Sequence, residues 1–243
     1  MSPRYVYGLV PAGAAIPEGL AGLGPSGQVT TIEHGRVAAV VGDVPVDRPL
    51  GTRDDLIAHE TVLDTLAART AVLPMRFPAV VEERGVVDEL LGPNEEFFAS
   101  ALADLEGRVQ FTLRARYEQD VVLREIVESD AEVRELQERV RGVPEDASYY
   151  DRVRLGELIV AAMERRREGE AAQVFAKLEP LAVRVAAHQP TSPDEVVNAA
   201  FLIERDGMAA FDAATEDVGR EHAGRLRLRL LGPLAPYDFA PAE

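Results

Sequence analysis

The sequence predicts an α+β protein of two domains, the C-terminal one a ferredoxin-like layer of strands with long helices. Three observations carry this. Val109, Phe111, Leu113, Ala115 and Tyr117 alternate with Arg108, Gln110, Thr112, Arg114 and Arg116, the period-2 pattern of a strand with one face on a core. From Glu118 to His188 the apolar spacing turns helical. Strand patterns at Glu195–Glu204 and Arg225–Leu231 then flank a helix at Asp206–Glu221, so strand, helices, strand, helix, strand follow in order. A boundary near Gly107 gives an N-terminal α+β domain at 1–106, the ferredoxin-like domain with its helical insertion at 107–231, and a tail at 232–243.

Taken in order, the first element is a strand at Arg4–Val10. The apolar run from Tyr5 to Ile16 behind Arg4 imitates a secretory signal, but Gly8, Pro11 and Gly13 interrupt it and Tyr5-Val6-Tyr7 are strand formers. Residues 11–27 are dense in Pro and Gly and form a loop. Gln28–Glu33 and Arg36–Val41 flank His34-Gly35, a two-residue hairpin signal. Thr52 with Asp55 makes a capping-box pair opening a helix whose inward face is Leu56, His59, Leu63 and Leu66. Thr70–Phe77 reads as a strand. A short helix follows around Val86–Leu91, then one from Asn94 with Phe97, Ala101, Leu102 and Leu105 on one face.

Two helices lie between Glu118 and Arg141, broken near Ser129-Asp130, and Pro144-Glu145-Asp146 is a turn. A long helical stretch runs from Ser148 to about Ala187, with Gly169 and Pro180 expected to interrupt or kink it. Arg225-Leu226-Arg227-Leu228-Arg229-Leu230 alternates strictly, and Gly232, Pro233 and Pro236 stop that strand. Tyr237 and Phe239 therefore leave on a proline-fixed tail that suits docking; capping their own domain is the equal alternative.

Composition removes several functions. No segment reaches the roughly 18 uninterrupted apolar residues of a membrane span. Cysteine is absent, which excludes thiolate chemistry and disulfides and permits a cytoplasmic location. A formal charge of −16 opposes nucleic-acid binding, which needs clustered cations.

The remaining motifs are weak. Gly22-Leu23-Gly24-Pro25-Ser26-Gly27 matches the dinucleotide fingerprint in letters only, because a strand at Gln28–Ile32 follows it where a helix is required. The four histidines are scattered, and His59 sits on an inward helix face, so no metal site or general base is expected. Asp54-Asp55, Glu82-Glu83 and Glu95-Glu96 fall in or near first helical turns, where the dipole favours anions. With no nucleophile set, catalytic residues and cofactors are both expected to be none. Pro74-Met75-Arg76-Phe77-Pro78 stays open: an edge bearing a cation beside an aromatic, or an ordinary buried strand with one outward Arg.

Six segments in order resemble the gas vesicle F/L-type accessory protein family: Tyr5-Val6-Tyr7-Gly8; His59 with Leu63; Val72-Leu73-Pro74-Met75-Arg76-Phe77; Gly107-Arg108-Val109-Gln110-Phe111; Asn198-Ala199-Ala200-Phe201-Leu202; and Gly232-Pro233 with Pro236-Tyr237-Asp238-Phe239. They span nearly the whole chain. The sequence departs from the family pattern at Pro78, Gln110 and Leu234-Ala235. The resemblance implies two α+β domains, the second a modified ferredoxin-like fold. It also implies a non-enzymatic role in building gas vesicles in the cytoplasm, with the small hydrophobic shell protein and other gas vesicle accessory proteins as partners. Expected contacts are Pro74, Arg76, Phe77, Gln110, Arg114, Arg116, Tyr237 and Phe239. The alternative is a small-ligand-binding protein or enzyme on a ferredoxin-like scaffold, which would need a pocket of convergent polar groups.

Overall fold

A computed structural model describes residues 2–45 and 48–241. The chain runs β1 (Pro3–Pro11), β2 (Val29–His34), β3 (Val37–Asp43), α1 (Arg53–Ala67), β4 (Leu73–Pro74), β5 (Val80–Glu82) and α2 (Glu83–Gly85). A π-helical segment, Val86–Leu91, joins α2 to α3 (Gly92–Leu105). Then come β6 (Arg108–Tyr117), α4 (Gln119–Ser129), α5 (Ala131–Val140), α6 (Glu145–Leu178), β7 (Arg184–Ala187), β8 (Glu195–Glu204), α7 (Met208–Glu221) and β9 (Leu226–Leu234). The chain divides into two compact units: residues 1–111 with 202–205 and 232–243, and residues 112–201 with 206–231.

The first sheet has the order β2-β3-β1-β4, with β5 also pairing β1, and its pairings are antiparallel. β1 is thus central: β3 runs along one edge, while β4 and β5 share the other, with Gly8 opposite Pro74 and Tyr5 opposite Val80. Tyr5, Val6, Tyr7, Leu9 and Val10 are fully buried. A strand covered on both faces needs no polar alternation. That is why the N-terminal run looked like a signal peptide. Gly8 is required here, since a Cβ would lie 2.7 Å from the Leu73 carbonyl and 2.8 Å from Leu63 Cδ2. The Val62, Leu63 and Leu66 stripe of α1 closes the core over Tyr5, Tyr7 and Val40.

α1 begins as its sequence dictates. The Asp55 amide donates to Thr52 Oγ1 at 3.2 Å, and Asp55 Oδ2 accepts the Thr52 amide at 3.0 Å. Asp55 is 1% exposed yet charged, because Arg48 forks onto both its oxygens at 2.8 and 2.6 Å. That guanidinium, with the Thr52 and Gly51 donors, holds the carboxyl far below the usual carboxylate range.

The glycine-rich segment packs down as a turn. The Leu23 amide donates to the Tyr7 hydroxyl at 2.5 Å, and the Gly22 amide to the Gly27 carbonyl at 2.8 Å. Amides spent in this way cannot cradle a phosphate.

The second sheet has the order β7-β8-β6-β9, the arrangement of a ferredoxin-like fold, with α4–α6 crossing between β6 and β7 and α7 between β8 and β9. Phe201 and Phe211 meet at 5.2 Å in its core. Expectations change in detail at five points. The first hairpin turns at Gly35-Arg36 rather than His34-Gly35, since His34 still pairs with Val37. Glu145 and Asp146 open α6 rather than forming a turn. α6 runs unbroken through Gly169 for 34 residues and ends before Pro180. Arg184–Ala187, read as the end of that helix, is a strand held on β8, with the His188 amide donating to the Asn198 carbonyl at 2.8 Å. Within Thr70–Phe77 only Leu73–Pro74 pairs as strand, as prolines at 74 and 78 carry no ladder donor.

Candidate protein-binding surface

Of the expected contact residues, Pro74, Arg76, Phe77, Gln110, Tyr237 and Phe239 fall in the first unit, in places fixed by α1, β1 and the C-terminal tail. The segment after β4 is tied to β1 at two points: the Met75 amide donates to the Tyr7 carbonyl at 3.0 Å, and the Val6 amide to the Ala79 carbonyl at 2.9 Å. His59 on α1 adds a third tie. Its Nε2 lies 3.2 Å from the Met75 carbonyl, which can only accept, so Nε2 carries the proton. Nδ1 is then left to accept the Tyr5 hydroxyl at 2.8 Å. Burial pushes the His59 pKa down and the Tyr5 pKa up, which keeps this pair neutral. Phe77 stacks its edge on His59 at 5.7 Å. Pro74 is buried, Phe77 half-buried, and Arg76 between them points outward.

The tail returns over the first unit. The Ala235 amide donates to Asp64 Oδ1 at 2.7 Å, and burial raises the Asp64 pKa. Gln110 Nε2 donates to Asp238 Oδ2 at 2.6 Å, while the Asp238 amide donates to Gln110 Oε1 at 3.1 Å. Ala235 is fully buried and Phe239 is 9% exposed. Gln110 was expected on the wet face of β6; it is buried because the tail lies over it. Gln110 and Phe239 therefore secure the tail, and neither can meet a partner while it stays in place. Tyr237 remains 38% exposed, its ring 6.4 Å from His59.

These pieces enclose a groove of about 330 Å³ lined by Pro74, Met75, Arg76, Phe97, Phe98 and Tyr237 among others. It brings together three of the expected contacts, Pro74, Arg76 and Tyr237. Arg114 and Arg116 belong to the second unit, where Arg114 is exposed and Arg116 pairs with Glu195 at 3.5 Å. Sequence reasoning missed Phe97, assigning it to an inward face; it is 51% exposed. Adjacent aromatics at 97 and 98 were the available signal, since neighbours on a helix point about 100° apart and cannot share one buried face. Leu56 is likewise exposed rather than inward. Among the described residues no cluster of His, Asp or Glu is placed to hold a metal ion.

The sequence profile described as "Gas vesicle synthesis protein GvpL/GvpF" matches residues 3–241. The chain is 33% identical to gas vesicle protein F of Streptomyces sp. (strain CB03234) over 238 residues, covering 97% of this chain and 98% of that one. It is 28% identical to gas vesicle protein L of the same strain, covering 98% and 92%. Its fold is similar to the crystal structures of GvpF from Anabaena sp. PCC7120, with a TM-score of 0.82 at 28% identity, and from Microcystis aeruginosa, with 0.79 at 25%. Both matches cover the whole of each chain. The chain belongs to the GvpL/GvpF family of gas vesicle synthesis proteins.

Proposed function

We propose that this protein is a non-enzymatic gas vesicle assembly factor. It binds the small hydrophobic shell protein, alongside other gas vesicle accessory proteins, and assists nucleation or growth of the wall at the gas vesicle in the cytoplasm. The observation that carries the reading is the family match from residue 3 to residue 241, with relatives named gas vesicle protein F and L aligned end to end. The groove bounded by Pro74, Arg76, Phe97 and Tyr237 supports it physically. A shell subunit offers apolar surface and strand edges that aggregate unless covered. Aromatic walls can shield such surface, and a net charge of −16 keeps the resulting complex apart from its neighbours. Arg114 and Arg116 are proposed as secondary contacts.

Co-expression with the shell protein tests the reading. Expected is shell protein retained in the soluble fraction and co-purifying with this chain. Equal aggregation with and without this chain would overturn it.

A further inference from the structure

A second concavity in the first unit, about 530 Å³, collects Arg36, Arg69 and Arg205 against the single acid Glu106, with Ala99 and Leu102 of α3 in its lining. Three cations in one pocket stand out in a chain of net charge −16. Arg205 is fixed there from two directions. Its amide donates to the Gly107 carbonyl at 2.9 Å, and its Nη2 donates to the carbonyls of Ala67 and Thr70 at 2.5 and 3.0 Å. Those bonds cap the C-terminal end of α1, which has no basic residue in its own last turn. Capping explains Nη2 and leaves Nε and Nη1 without a protein acceptor among the described residues.

No carboxylate among the described residues pairs with Arg205 or with exposed Arg69, and burial without a counter-charge depresses the Arg205 pKa. Arg36 differs, being held by Glu95 and Glu96 at 3.4 and 3.1 Å. A half-buried guanidinium with free donors and no counter-ion favours an incoming oxyanion, for which the planar fork is matched.

We propose that this pocket binds a small molecule bearing an oxyanion, carboxylate or phosphate, on Arg69 and Arg205, with Arg36 as an outer contact. Ala99 and Leu102 provide an apolar wall for its body, and the volume suits a small organic anion. The inference does not rest on the shell-protein reading.

The test is thermal unfolding of the full chain titrated with citrate or with pyrophosphate, each against sodium chloride at equal ionic strength. Expected is a rise in Tm beyond the chloride control with at least one oxyanion, and the arm that responds assigns carboxylate or phosphate chemistry. Arg69→Ala, at an exposed position, is expected to keep its Tm without added anion while the titration midpoint moves up at least about tenfold. Arg36→Ala is expected to move it less. No shift beyond chloride in either arm, or an Arg69→Ala titration that overlays the wild type, would overturn the proposal.

Discussion

Gln110 and Asp238, 128 positions apart, exchange two hydrogen bonds, side chain to side chain and backbone to side chain. The pair clamps the tail over β6 where Gln110 is 3% exposed. Gln110→Ala removes both hydrogen bonds, and because Asp238 is exposed and can be solvated the cost is about 0.5–1.5 kcal/mol for each bond lost. Expected is a lower urea midpoint, with faster proteolysis at the tail than elsewhere. A variant as stable and as resistant as the wild type would show that the clamp contributes nothing.

Arg76 and Phe97 can be changed with little effect on the fold, as substitutions at exposed positions stay within about 0.5 kcal/mol. Arg76→Ala and Phe97→Ala should keep the melting curve while reducing the shell protein recovered in soluble complex. Removing residues 232–243 should instead do both, lowering the melting temperature and the recovery, since Ala235 and Phe239 are buried. Full recovery with the Arg76→Ala, Phe97→Ala double variant would move the binding surface away from this groove.

Mild acid should act through His59. Its folded pKa lies below the ordinary imidazole value of about 6.5, so below that pH the unfolded chain binds more protons than the folded one. The stability it provides is complete above about 6.5 and declines as pH falls toward the depressed folded value. Protonated Nδ1 can no longer accept the Tyr5 hydroxyl. Urea midpoints should fall between pH 7 and 5 in the wild type, and His59→Gln should flatten that slope. Identical slopes in the two proteins would remove His59 from the account.

Gly8→Ala presses a methyl group against backbone, the Leu73 carbonyl, as well as against Leu63. Backbone on a paired strand yields little, so the expected cost is about 1–3 kcal/mol, read from the denaturant midpoint. An unchanged midpoint would mean that β4 can shift away from β1.

Much of the fold was legible because local chemistry and tertiary outcome agree. The Thr52–Asp55 box and the alternation along β6 each specify an element within a few residues, while the hairpin signal at His34-Gly35 places its turn one residue early, the observed one being Gly35-Arg36. β7 was hidden because Arg184-Val185-Ala186-Ala187 has no period of its own and becomes a strand only through β8. The groove was half visible. Pro74, Arg76 and Tyr237 stood out for their proline and aromatic context, whereas Phe97 reads as core although it is exposed and Phe98 is the more buried of the two. The arginine pocket was invisible for a different reason: Arg36, Arg69 and Arg205 come from three distant segments, and no spacing joins them.

The first unit is assembled from residues 1–111, 202–205 and 232–243. During synthesis Tyr237, one wall of the groove, emerges more than a hundred residues after Pro74 and Arg76. A nascent chain thus has no finished aromatic groove to offer. On the proposed binding role, chains that have not yet released Tyr237 would not compete for a client.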